Sequence, residues 1–253
     1  MDESILGYPV RADSTDVCIR QITSWINSPV AGKYLVCANP HSLEVAQKDP
    51  CFQRAIRSAD IVVPDGIGII IASMILGGKI RERTTGMDIF LGLSAVLDSR
   101  KEYRYFFLGS TDENLVRIKD RMSRDFPHII VAGTYSPPFQ SEFSEQENQL
   151  MIDTINESHP DVLWVGMTAP KQEKWIYQNR SRLKVKFIGA IGAVFDFYTG
   201  TVKRSHPIFR EMGFEWLPRF IRQPRRLWRR NFISGPRFLL RVITSRALGI
   251  RQK

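Results

Sequence analysis

The chain has 253 residues, of which 43% are hydrophobic and 25% are charged, and its formal net charge is +10. A chain of this length and composition can bury one substantial core, so we expect one domain with an appendage. Its apolar stretches are too short, or too often interrupted by arginine, to supply the ~20 residues that a membrane-spanning helix needs.

Short, continuous apolar runs alternate along the chain with amphipathic segments. Buried strands are predicted at residues 34–38, 61–63, 105–108, 129–131, 162–165 and 187–188, because parallel sheets use continuous apolar runs. Helices are predicted at residues 14–27, 66–76, 86–98, 111–125, 144–158 and 170–182, and Ser144 with Glu147 forms a capping box at the start of one of them. This order predicts an α/β fold with a mainly parallel sheet and helices on both faces. We expect residues 1–202 to form this domain and residues 203–253 to form a helical C-terminal appendage.

The appendage carries most of the positive charge. Residues 203–253 contain 14 Lys and Arg against two acidic residues, whereas the first 202 residues have a net charge of about −2. On a helical wheel, one side collects arginines and the other side collects Leu, Ile, Phe and Trp; the arginines are Arg219, Arg222, Arg226, Arg229 and Arg230. Such a helix is typical of an anionic membrane interface. An ordinary solvated face and an RNA-binding strip are the alternatives.

The N-terminus and the cysteines indicate the compartment. Met1 to Ser4 contain neither a basic nor an apolar signal segment. Three cysteines without a CxxC pair fit a reducing cytosol. We therefore expect a cytoplasmic protein that is peripheral on the inner face of the membrane; its oligomeric state is left open, a homo-oligomer included.

Ligands of parallel α/β sheets bind beyond the carboxyl ends of the strands, so the residues that follow each strand are the candidates for a site. Asp65 follows a buried strand and precedes Gly66 and an apolar helix. A carboxylate held there can act as a general base, although a turn and helix cap is the plainer interpretation. Arg83 precedes a helix start and can bind phosphate, and Asn39 can bind a ligand or simply close its strand.

Several common motifs are missing from the sequence. No GxGxxG follows a strand, which argues against a dinucleotide cofactor, and no DxD, HxxxH or HExxH supports a metal site. We therefore expect neither cofactor nor metal. A phosphate-bearing leaving group would then have to be stabilised by arginines and helix N-termini.

Six segments in order resemble the WecG/TagA/CpsF glycosyltransferase family. Residues 166–173 match its GxxxPKQE motif, residues 64–66 its PDG segment, and residues 83–88 its RxxGxD segment. Residues 37–41, 189–200 and 213–219 resemble its first strand exit and its closing segments. The main departure is Cys37, where the family usually has Thr.

The resemblance implies a Rossmann-like domain and a metal-independent, inverting enzyme. Such enzymes move a sugar from a UDP-sugar to a sugar on an undecaprenyl diphosphate lipid, forming a β-linkage in teichoic acid or exopolysaccharide assembly at the cell envelope. By position, Asp65 becomes the base, with Asn39 and Gln172 as its catalytic neighbours. The implied substrate-binding residues are Cys37, Arg83, Thr85, Gly109, Lys171, Arg219, Arg226 and Arg229.

The implied partners are the UDP-sugar, the polyprenyl-diphosphate-linked sugar and an anionic membrane, without nucleic acid. Arginines of the appendage would reach the departing diphosphate only when the appendage is ordered at the membrane. A nucleic-acid-binding protein and a nucleotide-cofactor oxidoreductase are the rival hypotheses. The first would show salt-dependent RNA binding, and the second would need the dinucleotide motif that is missing.

Overall fold

The computed structural model describes residues 1–99, 102–202, 225 and 228–248. A six-stranded sheet of order β4-β3-β8-β7-β5-β6 forms its centre, and every pairing in it is parallel. Its strands are β3 (Lys33–Ala38), β4 (Ile61–Pro64), β5 (Tyr103–Gly109), β6 (Ile129–Tyr135), β7 (Val162–Gly166) and β8 (Phe187–Ala190). The predicted α/β fold with a mainly parallel sheet is confirmed.

Helices cover both faces of this sheet. They are α1 (Thr15–Ile26), α2 (Pro40–Ala46), α3 (Pro50–Arg57), α4 (Ile67–Leu76), α5 (Gly86–Asp98), α6 (Asp112–Asp125), α7 (Glu145–Glu157), α8 (Lys171–Asn179), α9 (Val194–Thr199) and α10 (Gly235–Ala247). The capping box predicted at Ser144 is present, since its Oγ accepts a hydrogen bond from the Glu147 N–H at 3.2 Å. The predicted helices therefore lie within a few residues of the observed ones.

The N-terminal hairpin was not predicted. Strands β1 (Asp2–Ile5) and β2 (Tyr8–Arg11) pair antiparallel across a turn at Leu6 and Gly7, both of which have positive φ. Ile5, Tyr8 and Val10 are fully buried in the core. The hairpin is held by tertiary burial rather than by a long apolar run, and four-residue strands are too short to show a clear alternation.

The helices α2 and α3 were not predicted either. Each begins with a proline in its first turn and is capped by the preceding residue, Asn39 or Asp49. Proline is tolerated at this position because the first-turn N–H has no partner inside the helix. Asn39 was predicted to bind a ligand or to close its strand, and its role as a helix cap was not predicted.

The sheet has a separate apolar core on each face. One core joins Tyr34, Val36 and Ile188 with side chains of α2, α7, α8 and α10. The other joins Tyr105, Trp164 and the helices α1, α5 and α6, with aromatic rings packed edge to face. Because the strands are packed on both faces by these cores, the ends of the strands are held in fixed positions.

The described part of the appendage shares the first of these cores. Helix α10 packs on α2 and α4, and its Phe238 and Val242 are fully buried. Arg241 lies 3.4 Å from the Glu44 carboxylate of α2. Among the described residues, no helix is long and apolar enough to cross a membrane.

Candidate active site

The carboxyl ends of β4, β3 and β8 lie side by side in the sheet. Asn39 follows β3 and Asp65 follows β4, and the Asp65 N–H donates to the Ala38 carbonyl oxygen at 2.8 Å. This bond brings Asp65 beside Asn39, as the prediction of a shared site requires. Asp65 is half-buried and leads through Gly66, at φ +110°, into helix α4.

Asn39 caps helix α2 with one end of its amide. Its Oδ1 accepts from the Ser42 N–H at 3.0 Å, and the Ser42 Oγ accepts from the Asn39 N–H at 2.9 Å. No hydrogen bond to a described residue involves the Nδ2 of Asn39. The capping interaction therefore fixes the side chain without using its NH₂ group, so the cap is compatible with ligand binding, which stays a prediction.

Cys37 lies near the end of β3, where three acidic residues affect it electrostatically. Burial raises the pKa of its thiol well above the usual value, and the negative charges of Asp65, Glu173 and Asp88 raise it further. The backbone N–H of Gly86 hydrogen-bonds the sulfur and opposes this effect. The thiol is therefore neutral at physiological pH and is unsuited to act as a nucleophile.

The loop before helix α5 brings Arg83 and Thr85 close to the end of β4. The Thr84 N–H donates to the Pro64 carbonyl oxygen at 3.0 Å. Thr85 is buried, and its hydroxyl donates to the Asp88 carboxylate at 2.7 Å in a capping box. Thr85 thus positions the start of α5, while its binding of substrate stays a prediction; Arg83 is half-buried in the same loop.

Helix α8 contributes two buried polar residues in its first turn. Gln172 and Glu173 are 4% and 3% exposed, and the Gln172 Nε2 donates to the Glu173 Oε1 at 2.8 Å. A Cβ atom added at Gly192, just after β8, would lie 3.6 Å from the Gln172 Nε2. Burial raises the pKa of Glu173 to about 7. Gln172 therefore reaches the end of β8, next to β3.

Lys171 and Gly109 lie further along the sheet edge. The Lys171 Nζ donates to the Gln140 carbonyl oxygen at 2.9 Å and lies 4.8 Å from the Phe143 ring centroid, so it contacts the loop that follows β6. Gly109 is three strands from β3, about 14 Å at the usual strand spacing. A Cβ there would lie 2.7 Å from the Gly166 carbonyl group, so close approach of β5 and β7 requires glycine. The structure does not bring Gly109 to Asp65.

The described part of the appendage contacts helix α2. The His41 Nδ1 lies 2.9 Å from the Ser234 Oγ, and burial and the Arg230 charge lower the pKa of His41. Arg229 is exposed at the start of a π-helical segment, Arg229–Ser234, that leads into α10. The predicted Arg219 and Arg226 lie outside the described residues. The segment at Ser234 therefore contacts His41, which is two residues after Asn39 in the chain.

Two acidic residues of the site were missed from the sequence. Asp88 and Glu173 lie in the RxxGxD and GxxxPKQE segments, but neither was named as a candidate site residue. Gln172, Trp175, Ile176 and Asn179 share the buried face of α8, so the helical spacing was the signal that marked this turn as inward-facing. In the part of the chain that the structure describes, no group of three His, Cys, Asp or Glu side chains is arranged to hold a metal ion.

These features define a parallel α/β enzyme whose polar residues gather beyond the carboxyl ends of the strands. The chain belongs to the glycosyl transferase WecG/TagA/CpsF family, whose model matches residues 3–252. The resemblance of its six motifs to that family is thereby confirmed.

Similar proteins in three bacteria carry the same name, N-acetylglucosaminyldiphosphoundecaprenol N-acetyl-beta-D-mannosaminyltransferase. The protein of Bacillus spizizenii is 32% identical over 84% of this chain and 79% of its own length. That of Bacillus subtilis is 29% identical over the same shares. That of Staphylococcus aureus strain MRSA252 is 25% identical over 87% of this chain and 83% of its own length.

Proposed function

We propose that the protein transfers a sugar from a UDP-sugar to a sugar carried on a polyprenyl diphosphate, with inversion to a β-linkage and without a metal ion. The observation that carries the proposal is the position of Asp65 beside Asn39, at adjacent strand ends, in a chain of this glycosyltransferase family. The names of the relatives support N-acetylmannosamine as the donor sugar and a diphosphoundecaprenol-linked N-acetylglucosamine as the acceptor.

Asp65 is the general base in this proposal. It takes the proton of the acceptor hydroxyl while that oxygen forms a bond to the anomeric carbon of the donor sugar, and UDP leaves from the opposite face of the sugar. The bond of its backbone N–H to Ala38 supports the assignment, because it holds the carboxylate at the end of the sheet. Asn39 and Gln172 contact the sugars.

The leaving diphosphate needs positive charge. Asp65, Glu173 and Asp88 all act electrostatically on Cys37, so negative charge in this part of the site disfavours a diphosphate. Arg83 lies near the end of β4, and the appendage brings Arg229 and Arg230 to α2. We infer that arginines of the appendage complete the site and stabilise the developing negative charge.

An apolar surface beside these arginines supports docking to the inner face of the membrane. Met74 of α4 is 61% exposed and Leu240 of α10 is 65% exposed, and the two helices pack against each other. Further exposed apolar side chains of these two helices and of the segment before α10 are Ile67, Ile71, Trp228, Phe232 and Ile243. Apolar side chains bordered by arginine suit an anionic lipid surface better than nucleic acid, which offers phosphates without a hydrocarbon layer.

The proposal is tested with the full chain, a panel of UDP-sugars and a short-chain polyprenyl diphosphate N-acetylglucosamine. We expect UDP release and a new disaccharide product with UDP-N-acetylmannosamine, in the presence of EDTA as well as without it. NMR of the product gives the configuration of the new linkage. An absence of transfer with every donor would refute the proposal, and activity that is lost in EDTA and restored by Mn²⁺ would refute its metal-free form.

A further inference from the structure

The first turn of α8 buries two polar side chains whose hydrogen-bonding capacity is only partly used. The Gln172 Nε2 donates to the Glu173 Oε1 at 2.8 Å. The Gln172 Oε1 and the Glu173 Oε2 are both buried, and neither has a hydrogen-bond partner among the described residues. Leaving such an oxygen without a partner costs about 1–3 kcal/mol, so each of the two oxygens needs a hydrogen-bond donor, either a water molecule or a ligand.

The hydrogen bond between the two side chains fixes the orientation of the Gln172 amide. A carboxylate oxygen accepts hydrogen bonds, so it selects the NH₂ end of the amide. The carbonyl end must then face the other way. The amide lies against the turn after β8, since a Cβ at Gly192 would be 3.7 Å from the Gln172 Oε1.

Gln172, Glu173 and the turn at Gly192 form what we call the α8 corner. Its Gln172 carbonyl oxygen, unpaired among the described residues, requires a hydrogen-bond donor as its ligand. The Gln172 carbonyl oxygen can only accept hydrogen bonds and repels phosphate oxygens, whereas a sugar presents hydroxyl groups and, when acetylated, an amide N–H. The α8 corner lies near the proposed base Asp65, because the charges of Glu173 and Asp65 both act on the Cys37 thiol.

We propose that Glu173 is a positioning residue that holds the Gln172 carbonyl oxygen toward the turn after β8, where it accepts a hydrogen bond from a hydroxyl or amide N–H of one of the two sugars. The proposal rests on the sugar-transfer function proposed above. Glu173 acts through Gln172, and Gln172 is the residue that touches the sugar.

The test compares KM and kcat for the UDP-sugar and the lipid-linked acceptor in full-length variants. Gln172→Ala removes the acceptor, and Glu173→Leu removes the group that orients it. We expect each variant to raise KM for the same substrate by about 10-fold, as expected for the loss of one neutral hydrogen bond. Glu173→Gln retains a carbonyl oxygen that can accept from the Gln172 Nε2, so its KM should stay within about 3-fold of wild type.

The double variant separates positioning from independent contacts. If Glu173 acts only through Gln172, adding Glu173→Leu to Gln172→Ala raises KM little further. The matched control is Gln178→Ala, which alters an exposed residue of the same helix and should leave KM unchanged. Circular dichroism and thermal unfolding establish that each variant is folded.

Three outcomes contradict the inference. Additive effects in the double variant would mean that Glu173 contacts the substrate itself. A wild-type KM in folded Glu173→Leu would mean that the pair does not position the sugar. If the wild-type chain transfers sugar and either result is found, this inference alone fails; a wild-type chain that neither binds nor transfers any of the sugars contradicts the proposed function as well.

Discussion

At the scale of single residues, the strand β4 has an aspartate at each end. Asp60 precedes the strand and accepts hydrogen bonds from the Lys33 Nζ at 2.7 Å and from the Tyr34 N–H at 3.0 Å. It therefore links the start of β4 to β3. Asp65 follows the strand at the end where the candidate site lies. The same residue type therefore serves two roles that differ only by its position on the sheet.

This pair gives a matched test of the general base. Asp65→Asn should lower kcat by about 10²–10⁴ because the amide cannot accept the proton of the acceptor hydroxyl. Asp60→Asn should lower stability and leave kcat nearly unchanged. Steady-state kinetics and urea unfolding measure both; near-wild-type turnover of Asp65→Asn would remove Asp65 from the mechanism.

Glu173 gives a second prediction, on pH and stability. Burial raises its pKa from 4.5 to about 7, so the folded protein prefers the neutral carboxyl group. Between pH 4.5 and about 7 the folded state then binds more protons than the unfolded state, and the free energy of unfolding falls as pH rises. Glu173→Gln should abolish this fall, which amounts to at most about 3 kcal/mol. Urea unfolding of both proteins at pH 5 and pH 8 measures the difference; equal slopes would show that the carboxyl group is not perturbed.

At the scale of elements, α10 has two faces with different roles. Its inner face buries Phe238 and Val242 against the helices that follow Asn39 and Asp65. Its outer face exposes Leu240 and Ile243. Deleting the whole appendage would therefore uncover part of the core, so single substitutions are the better test of what it does.

The two faces predict opposite phenotypes. Phe238→Ala should lower the free energy of unfolding by about 3–5 kcal/mol, because it leaves a cavity in the core. Leu240→Ala should change stability by less than about 0.5 kcal/mol but weaken binding to phosphatidylglycerol vesicles by about tenfold. Urea unfolding and vesicle sedimentation measure these effects. A Leu240→Ala variant with unchanged vesicle binding would show that this face does not enter the membrane.

At the scale of the whole molecule, the charge is divided between the two sides of the sheet. Arg237 and Arg246 are exposed on α10, next to the apolar surface. Arg117 and Arg124 are exposed on α6, which packs on the opposite face of the sheet. Only the first pair lies where the proposed membrane contact is made.

Replacing both Arg237 and Arg246 by Gln should weaken binding to anionic vesicles about 30-fold, at about 1 kcal/mol for each arginine. The same replacement of Arg117 and Arg124 is the control and should change binding little. Binding of the wild-type chain should also fall as salt rises, since screening weakens the attraction. Equal losses in the two double variants would indicate general charge attraction without a defined docking face.

The sequence by itself determined the elements and the positions of the candidate residues. Continuous apolar runs marked the strands, and caps such as Ser144 marked the helix starts, because both depend on neighbours within a few residues. The family motifs placed Asp65, Asn39 and Gln172 after strands. The short hairpin at Ile5 and Tyr8 was not predicted from the sequence, since its stability comes from burial against distant parts of the chain.

Only the tertiary structure decided which strand ends are neighbours. Residues 39, 65 and 192 follow neighbouring strands because the sheet order is β4-β3-β8, and Gly109 is separated from them by the same order. Strand pairing is a contact between segments far apart in the chain, so local pattern cannot specify it. The burial of Glu173 and the packing of Phe238 under α2 and α4 are likewise long-range, because a side chain becomes buried only when another element covers it.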